Sequence, residues 1–107
     1  MSDIASVYAV FADRDEAERI GRAMVEAGLA ACVNVLAPCH SIYRWQGKVE
    51  EAQEVPALFK TSAADVDALI AAVARAHSYD VPAVVAWPIA AAHLPYAEWV
   101  AARTGDD

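Results

Sequence analysis

An α+β fold with the element order β-α-β-β-α-β and one further helix is what this sequence of 107 residues predicts. Three observations carry that reading. Short runs of β-branched and aromatic residues alternate with two stretches whose apolar residues recur at helical spacing. A Gln46-Gly47 turn joins two extended stretches, as a hairpin requires. The length suits one domain, so residues 1–107 are read as a single unit.

In chain order, residues 7–12 (Val-Tyr-Ala-Val-Phe-Ala) read as a buried strand. Asp13 with Glu16 three residues on has the spacing of a helix N-cap and its capping partner. Ala17, Ile20, Met24 and Ala27 then line one helical face, and Gly28 stands where a C-terminal cap belongs. Residues 31–36 form the second strand; Pro38 interrupts it, and residues 41–45 resume the extended pattern. After the turn, residues 48–60 return as a long third strand, polar over 49–54 and apolar over 55–59. The hairpin tip is therefore expected to stand away from the core. Pro56 lacks a ladder donor, which predicts a bulge or an unpaired position there. Ser62 and Asp65 have capping-box spacing, and Val66, Leu69, Ile70, Val73 and His77 make the apolar stripe of a second helix. Residues 84–87 are the fourth strand, ended by Pro88. Pro95 opens the last helix, with Tyr96, Trp99 and Val100 on its inner face, and residues 104–107 are expected to fray. Two right-handed crossovers with a hairpin between them make a ferredoxin-like sandwich with both crossover helices on one sheet face. Large apolar residues occupy both parities of the strands, so the second face is expected to be covered by other subunits.

Composition narrows the partners. Eight basic against fifteen acidic residues give a net charge of −7, which repels phosphate backbones and anionic lipids and argues against nucleic acid and membrane. Apolar residues make up 58% of the chain, and mean hydropathy is +0.25, an apolar excess that points to self-association in so small a domain. The first residues, Met1-Ser2-Asp3-Ile4, lack the basic region and apolar run of a secretory signal, and no stretch reaches the roughly 20 apolar residues of a membrane span. Cys32 and Cys39 would lie about 23 Å apart on one straight strand, so a reduced, cytoplasmic chain is expected.

Familiar catalytic signatures are missing. No glycine-rich phosphate loop and no G-x-S-x-G elbow occurs, and Asp13-Arg14-Asp15 sets one arginine between two carboxylates. Glu50 and Glu51 would point to opposite faces of a strand and cannot work as an acid/base pair. The chain is not read as an enzyme. Candidate metal ligands are Cys32, Cys39, His40, His77 and His93, none at C-x-x-C or H-x-x-x-H spacing. Each has a plain alternative. Cys32 between Ala31 and Val33 suits a small buried residue, and His77 suits a helix C-terminal cap. Tyr43, Trp45, Trp87 and Trp99 suit core or interface packing.

Five segments in order resemble the CutA family of divalent-cation tolerance proteins. They are Gly28-Leu29-Ala30-Ala31-Cys32-Val33-Asn34, residues 41–51 (Ser-Ile-Tyr-Arg-Trp-Gln-Gly-Lys-Val-Glu-Glu), Lys60-Thr61, His77-Ser78-Tyr79-Asp80-Val81-Pro82 and Tyr96-Ala97-Glu98-Trp99. The resemblance implies a ferredoxin-like subunit in a tight homotrimer, linked to metal-ion tolerance with copper or another divalent cation as ligand, and it carries over no catalytic reaction. It nominates Cys32 and His77 for metal binding, and Tyr43, Trp45 and Lys60 for a cleft between subunits. This sequence departs from the family pattern at Ser78, where a proline is usual, and at Ala83, where an acidic residue is usual. Three functions follow for comparison: a trimeric metal-tolerance protein, a PII-like ligand-sensing module with small molecules between subunits, and an assembly scaffold.

Overall fold

The computed structural model describes residues 3–104. Its elements are β1 (Ile4–Phe11), α1 (Arg14–Glu26), β2 (Cys32–Val35), β3 (Cys39–Trp45), β4 (Lys48–Ser62), α2 (Val66–Ala76), β5 (Val84–Pro88) and α3 (Leu94–Ala102), with a 3₁₀ turn at Ala63–Asp65. The sheet order is β2-β4-β1-β5 with every pair antiparallel, and β3 pairs with the first half of β4. This is the ferredoxin-like sandwich with an added C-terminal helix. The second strand of the sequence reading is split by Pro38 into β2 and β3.

Strand register divides the sheet into two faces. Val7, Ala9 and Phe11 of β1 and Val55, Ala57 and Phe59 of β4 pack under α1 and α2, against Ile20, Met24, Leu69 and Val73. Helix α1 lies close on β2, for a Cβ at Gly21 would come within 3.0 Å of Val33 Cγ1. The opposite face carries Tyr8, Leu58, Val85 and Asn34 in one row and Ser6, Lys60, Trp87 and Cys32 in the next. Helix α3 covers only one end of it, where Val100 packs on Ile4 and Ala31. Val85 stays 51% exposed and Trp87 46%. Of the three residues assigned to the inner face of α3, only Val100 is buried; Tyr96 and Trp99 stack on each other at 5.9 Å and stay partly exposed.

Pro56 does not break the β1 ladder, which runs without a slip through Val10 and Pro56. Its carbonyl accepts from Leu36 N–H, so its nitrogen faces the β2–β3 side as well. There three residues, Leu36, Ala37 and Pro38, span the gap that Val55 and Pro56 span on β4, and the missing donor falls where pairing is already irregular. The hairpin of β3 and β4 turns through Gln46 and Gly47, both at positive φ, and its outer half is mostly exposed, apart from the core. The expected capping box of α2 does not form: Ser62 Oγ donates to Asp65 Oδ2 at 2.6 Å instead. Of the tail expected to fray, residues 105–107 lie outside the described residues, and Thr104 is buried.

The cap of α1 does more than close a helix. Asp13 Oδ1 accepts from Glu16 N–H, and the buried Glu16 carboxylate accepts from Ala12 N–H at 3.0 Å and from Ser78 N–H at 2.8 Å. Burial alone would raise the Glu16 pKa, but hydrogen bonds from Ser78 and Ala12 outweigh it and hold the carboxyl below its ordinary value. A lowered folded-state pKa adds stability above the unfolded-state value, and that stability is lost as pH falls through the folded one. Glu16→Gln is expected to cost about 1–3 kcal/mol near neutrality and to flatten the fall of melting temperature as pH drops through and below the ordinary carboxylate range. Thermal melts across that range check it; parallel curves for parent and variant would refute the role.

Candidate functional site

The hairpin does not lie flat on the rest of the molecule. Alternation along β3 turns Ser41, Tyr43 and Trp45 to one side, and the register sets Tyr43 opposite Glu50. That side faces the loop after α2, and a cleft of about 550 Å³ opens between them. Its walls are Val10, Ser41, Tyr43, Trp45, Glu50, Glu54, Tyr79, Asp80, Val81 and Ala83. Glu51, as expected, points the other way and meets His40 Nε2 at 2.6 Å on the outer side of the hairpin.

One wall of the cleft is held from behind. Tyr79 Oη donates to the buried Glu54 carboxylate at 2.8 Å, and Tyr79 N–H donates to His77 Nδ1 at 3.1 Å. Burial first, then the Glu54 hydrogen bond and charge, push the Tyr79 hydroxyl well above its ordinary pKa, so it stays a donor. His77 is buried, stacks on Phe11 at 5.0 Å and donates from Nε2 to Val10 O at 2.7 Å. A carbonyl only accepts and a backbone N–H only donates, so the imidazole carries its hydrogen on Nε2. Both ring nitrogens of His77 are thus engaged within the chain. Ser78, where the sequence departs from the family's proline, donates the N–H that holds Glu16, a bond proline could not make.

Cys32 lies elsewhere. Its Cα partner is Lys60, level with Ser6 of β1, whereas His77 bonds to Val10 four residues along the same strand. Roughly 13 Å of β1 alone separates the two levels. Cys32 is half-buried, with Sγ 3.5 Å from Tyr96 Oη, and it borders a shallow groove with Glu18, Arg22 and Glu26. Burial and the neighbouring Cys32 sulfur push the Tyr96 hydroxyl up to about 12. Lys60 Nζ reaches Asn34 Oδ1 at 3.4 Å. Of the five site residues taken from the sequence, Tyr43 and Trp45 therefore share the cleft, Cys32 and Lys60 pair on the open sheet face, and His77 backs the cleft wall. The other metal-ligand candidates are dispersed: Cys39 Sγ approaches Ser41 Oγ at 3.7 Å, His40 faces Glu51, and His93 precedes α3.

A divalent ion does not fit the donors that one chain brings together. Among the described residues no group of three His, Cys, Asp or Glu side chains could hold a metal, and Cys32 has only the Tyr96 hydroxyl at contact distance. Sequence reasoning passed over Glu54, Tyr79 and Asp80 as site residues. The Tyr79-Asp80 pair stood inside a matched segment, but nothing in the sequence tied that loop to a hairpin 25 residues upstream.

Comparison with known proteins agrees with the fold. The family model of the CutA1 divalent ion tolerance protein matches residues 5–103. Protein CutA of Homo sapiens is 39% identical over 97 residues, which are 91% of this chain and 54% of that protein, so the chain spans about half of its length. The divalent-cation tolerance protein CutA of Thermus thermophilus is 45% identical over 89 residues, 83% of this chain and 86% of that one. The crystal structure of CutA from Xylella fastidiosa superimposes with a TM-score of 0.94 at 36% identity, covering 97% of this chain and all of that one. By these matches and its ferredoxin-like architecture, the chain belongs to the CutA family of divalent ion tolerance proteins.

Proposed function

We propose that this chain serves divalent-ion tolerance as a homotrimer, with Cys32 offering a thiolate to a soft cation such as copper and a neighbouring copy supplying the remaining donors. The observation that carries the reading is the position of Cys32. It is half-buried on an edge strand, on the sheet face that the chain's own helices leave largely open. Copies packing on that face bring new donors to the sulfur, which the single chain does not supply. His77 joins such a site only by surrendering one of its two hydrogen bonds. The unpaired Cys32 and Cys39 support a reducing, cytoplasmic setting. The family is named for ion tolerance and not for a reaction.

Thiolate ligation makes binding depend on pH and on a free sulfur. Titration of the intact protein with copper or zinc at neutral pH is expected to show saturable binding that Cys32→Ser weakens at least about tenfold, the usual cost of losing a ligand-level contact. Unchanged binding in that variant removes Cys32 from the site. His77→Ala, assayed beside it, separates a direct ligand from a residue that only packs.

A second reading, a ligand-binding module, is favoured by the 550 Å³ cleft, a volume usual for small-molecule sites. Its carboxylates disfavour nucleotides and other anions.

A further inference from the structure

From the cleft's geometry we propose that it is a binding site for a small organic ammonium ion, with the charged end between Glu50 and Asp80 and the apolar body against Tyr43, Trp45 and Tyr79. This deepens the ligand-binding reading and is independent of the metal reading.

Three features define the occupant. The cleft volume of about 550 Å³ exceeds what a bare or hydrated metal ion fills and suits a small organic molecule. Three aromatic side chains, from β3 and from the loop after α2, share its lining, and aromatic faces attract desolvated cations while also packing on apolar carbon. The titratable carboxylates in the lining are Glu50, Glu54 and Asp80, with no lysine, arginine or histidine among the ten lining residues. Glu54 is engaged by Tyr79, which leaves Glu50 and Asp80 to meet a charge. Yet these carboxylates do not converge closely enough to form a metal cluster. Separated carboxylates beside an aromatic enclosure suit an ammonium carried on an apolar body better than a bare metal ion.

The enclosure is also built before any ligand arrives. Tyr79 is fixed at both ends, by Glu54 through its hydroxyl and by His77 through its backbone, and its ring lies 4.7 Å from the imidazole. The positive φ angles of Gln46 and Gly47 set the hairpin register that places Glu50 across from Tyr43. Little ordering remains for a ligand to impose, which favours binding of small molecules.

The test uses the intact chain at neutral pH and three probes of nearly equal size: benzylammonium, benzyl alcohol and benzoate. The Trp45 indole N–H resonance reports occupancy, and calorimetry gives affinity. Benzylammonium is expected to saturate with Kd on the order of 0.1–1 mM, in keeping with so few atoms. Benzyl alcohol is expected to bind about tenfold more weakly, and benzoate not measurably, since the discriminating term is the charge. Glu50→Gln and Trp45→Leu lie on the exposed hairpin, where substitutions fold, and each is expected to weaken benzylammonium about 3–10-fold. Cys32→Ser is expected to bind it as the parent does. Equal binding of the amine and the alcohol overturns the cation assignment while leaving a ligand cleft in place. No saturation with any probe, as when a second copy of the chain fills the cleft, overturns both. Amine binding that neither hairpin variant alters places the site elsewhere and also overturns the proposal.

Discussion

Phe11→Ala is expected to lower the melting temperature by about 15–30 °C and to loosen the cleft wall together with the core. The side chain is fully buried, its ring 6.5 Å from Phe59 and stacked at 5.0 Å on His77. Removing a buried phenylalanine costs about 3–5 kcal/mol, transfer energy plus the cavity that the neighbours fail to close. A domain of this size holds about 5–15 kcal/mol in all and shifts about 4–8 °C per kcal/mol. The second consequence follows from contact. His77 loses the surface it lies on, and His77 is what Tyr79 N–H bonds to. Benzylammonium affinity should therefore fall in Phe11→Ala well below the melting transition. Phe11→Leu, which refills most of the volume, should recover most of both properties. A melting change under about 5 °C would show that the core closes over the lost ring, and it would contradict the packing described.

Val85→Asp is expected to turn the proposed trimer into folded single chains. Val85 is half exposed on edge strand β5, in one row with Tyr8, Leu58 and Asn34. Within one chain the substitution removes little packing, so the far-ultraviolet spectrum should stay that of the parent. At an interface between copies it buries an unpaired carboxylate, a penalty on the order of several kcal/mol for each copy. Sedimentation at micromolar concentration reads the outcome. The net charge of −7 offers a rival cause, repulsion between copies, and high salt separates the two, because it screens exposed charges and leaves a buried one costly. A trimer that survives the substitution would place the interface on another face. A parent that sediments as a single chain would remove the trimer altogether.

Much of the fold was legible in the residues because the signals are local. Asp13 caps α1 as its spacing indicated, and Gly28 takes the positive φ that the helix end requires. The capping partner was half right: Glu16 reaches back to Ala12 N–H, but its other oxygen crosses to Ser78, 62 residues away, and no spacing rule reports that. Pro56 marked an irregular position as expected, but only on the side its nitrogen faces: three residues oppose two between β2 and β3, while the β1 ladder stays regular. That side is set by the register with β1, which local sequence does not contain. Ser62 and Asp65 had the spacing of a cap, yet they bond to each other, since a 3₁₀ turn intervenes before α2.

The candidate site followed the same division. Tyr43 and Trp45 were legible as a pair because alternation on one strand puts them on one side. Cys32 and His77, both plausible ligands by chemistry, fall at different levels of the sheet, and only strand pairing reveals it. The sequence by itself determined the order of elements, the cap of α1, the hairpin turn and the family, since these rest on neighbours within a few residues or on ordered motifs. The tertiary structure alone decided that Glu54 holds Tyr79, that His77 braces a wall, and that carboxylates and aromatic rings line one cleft. Those contacts join residues far apart in the chain, and their geometry exists only after register and packing have been settled together.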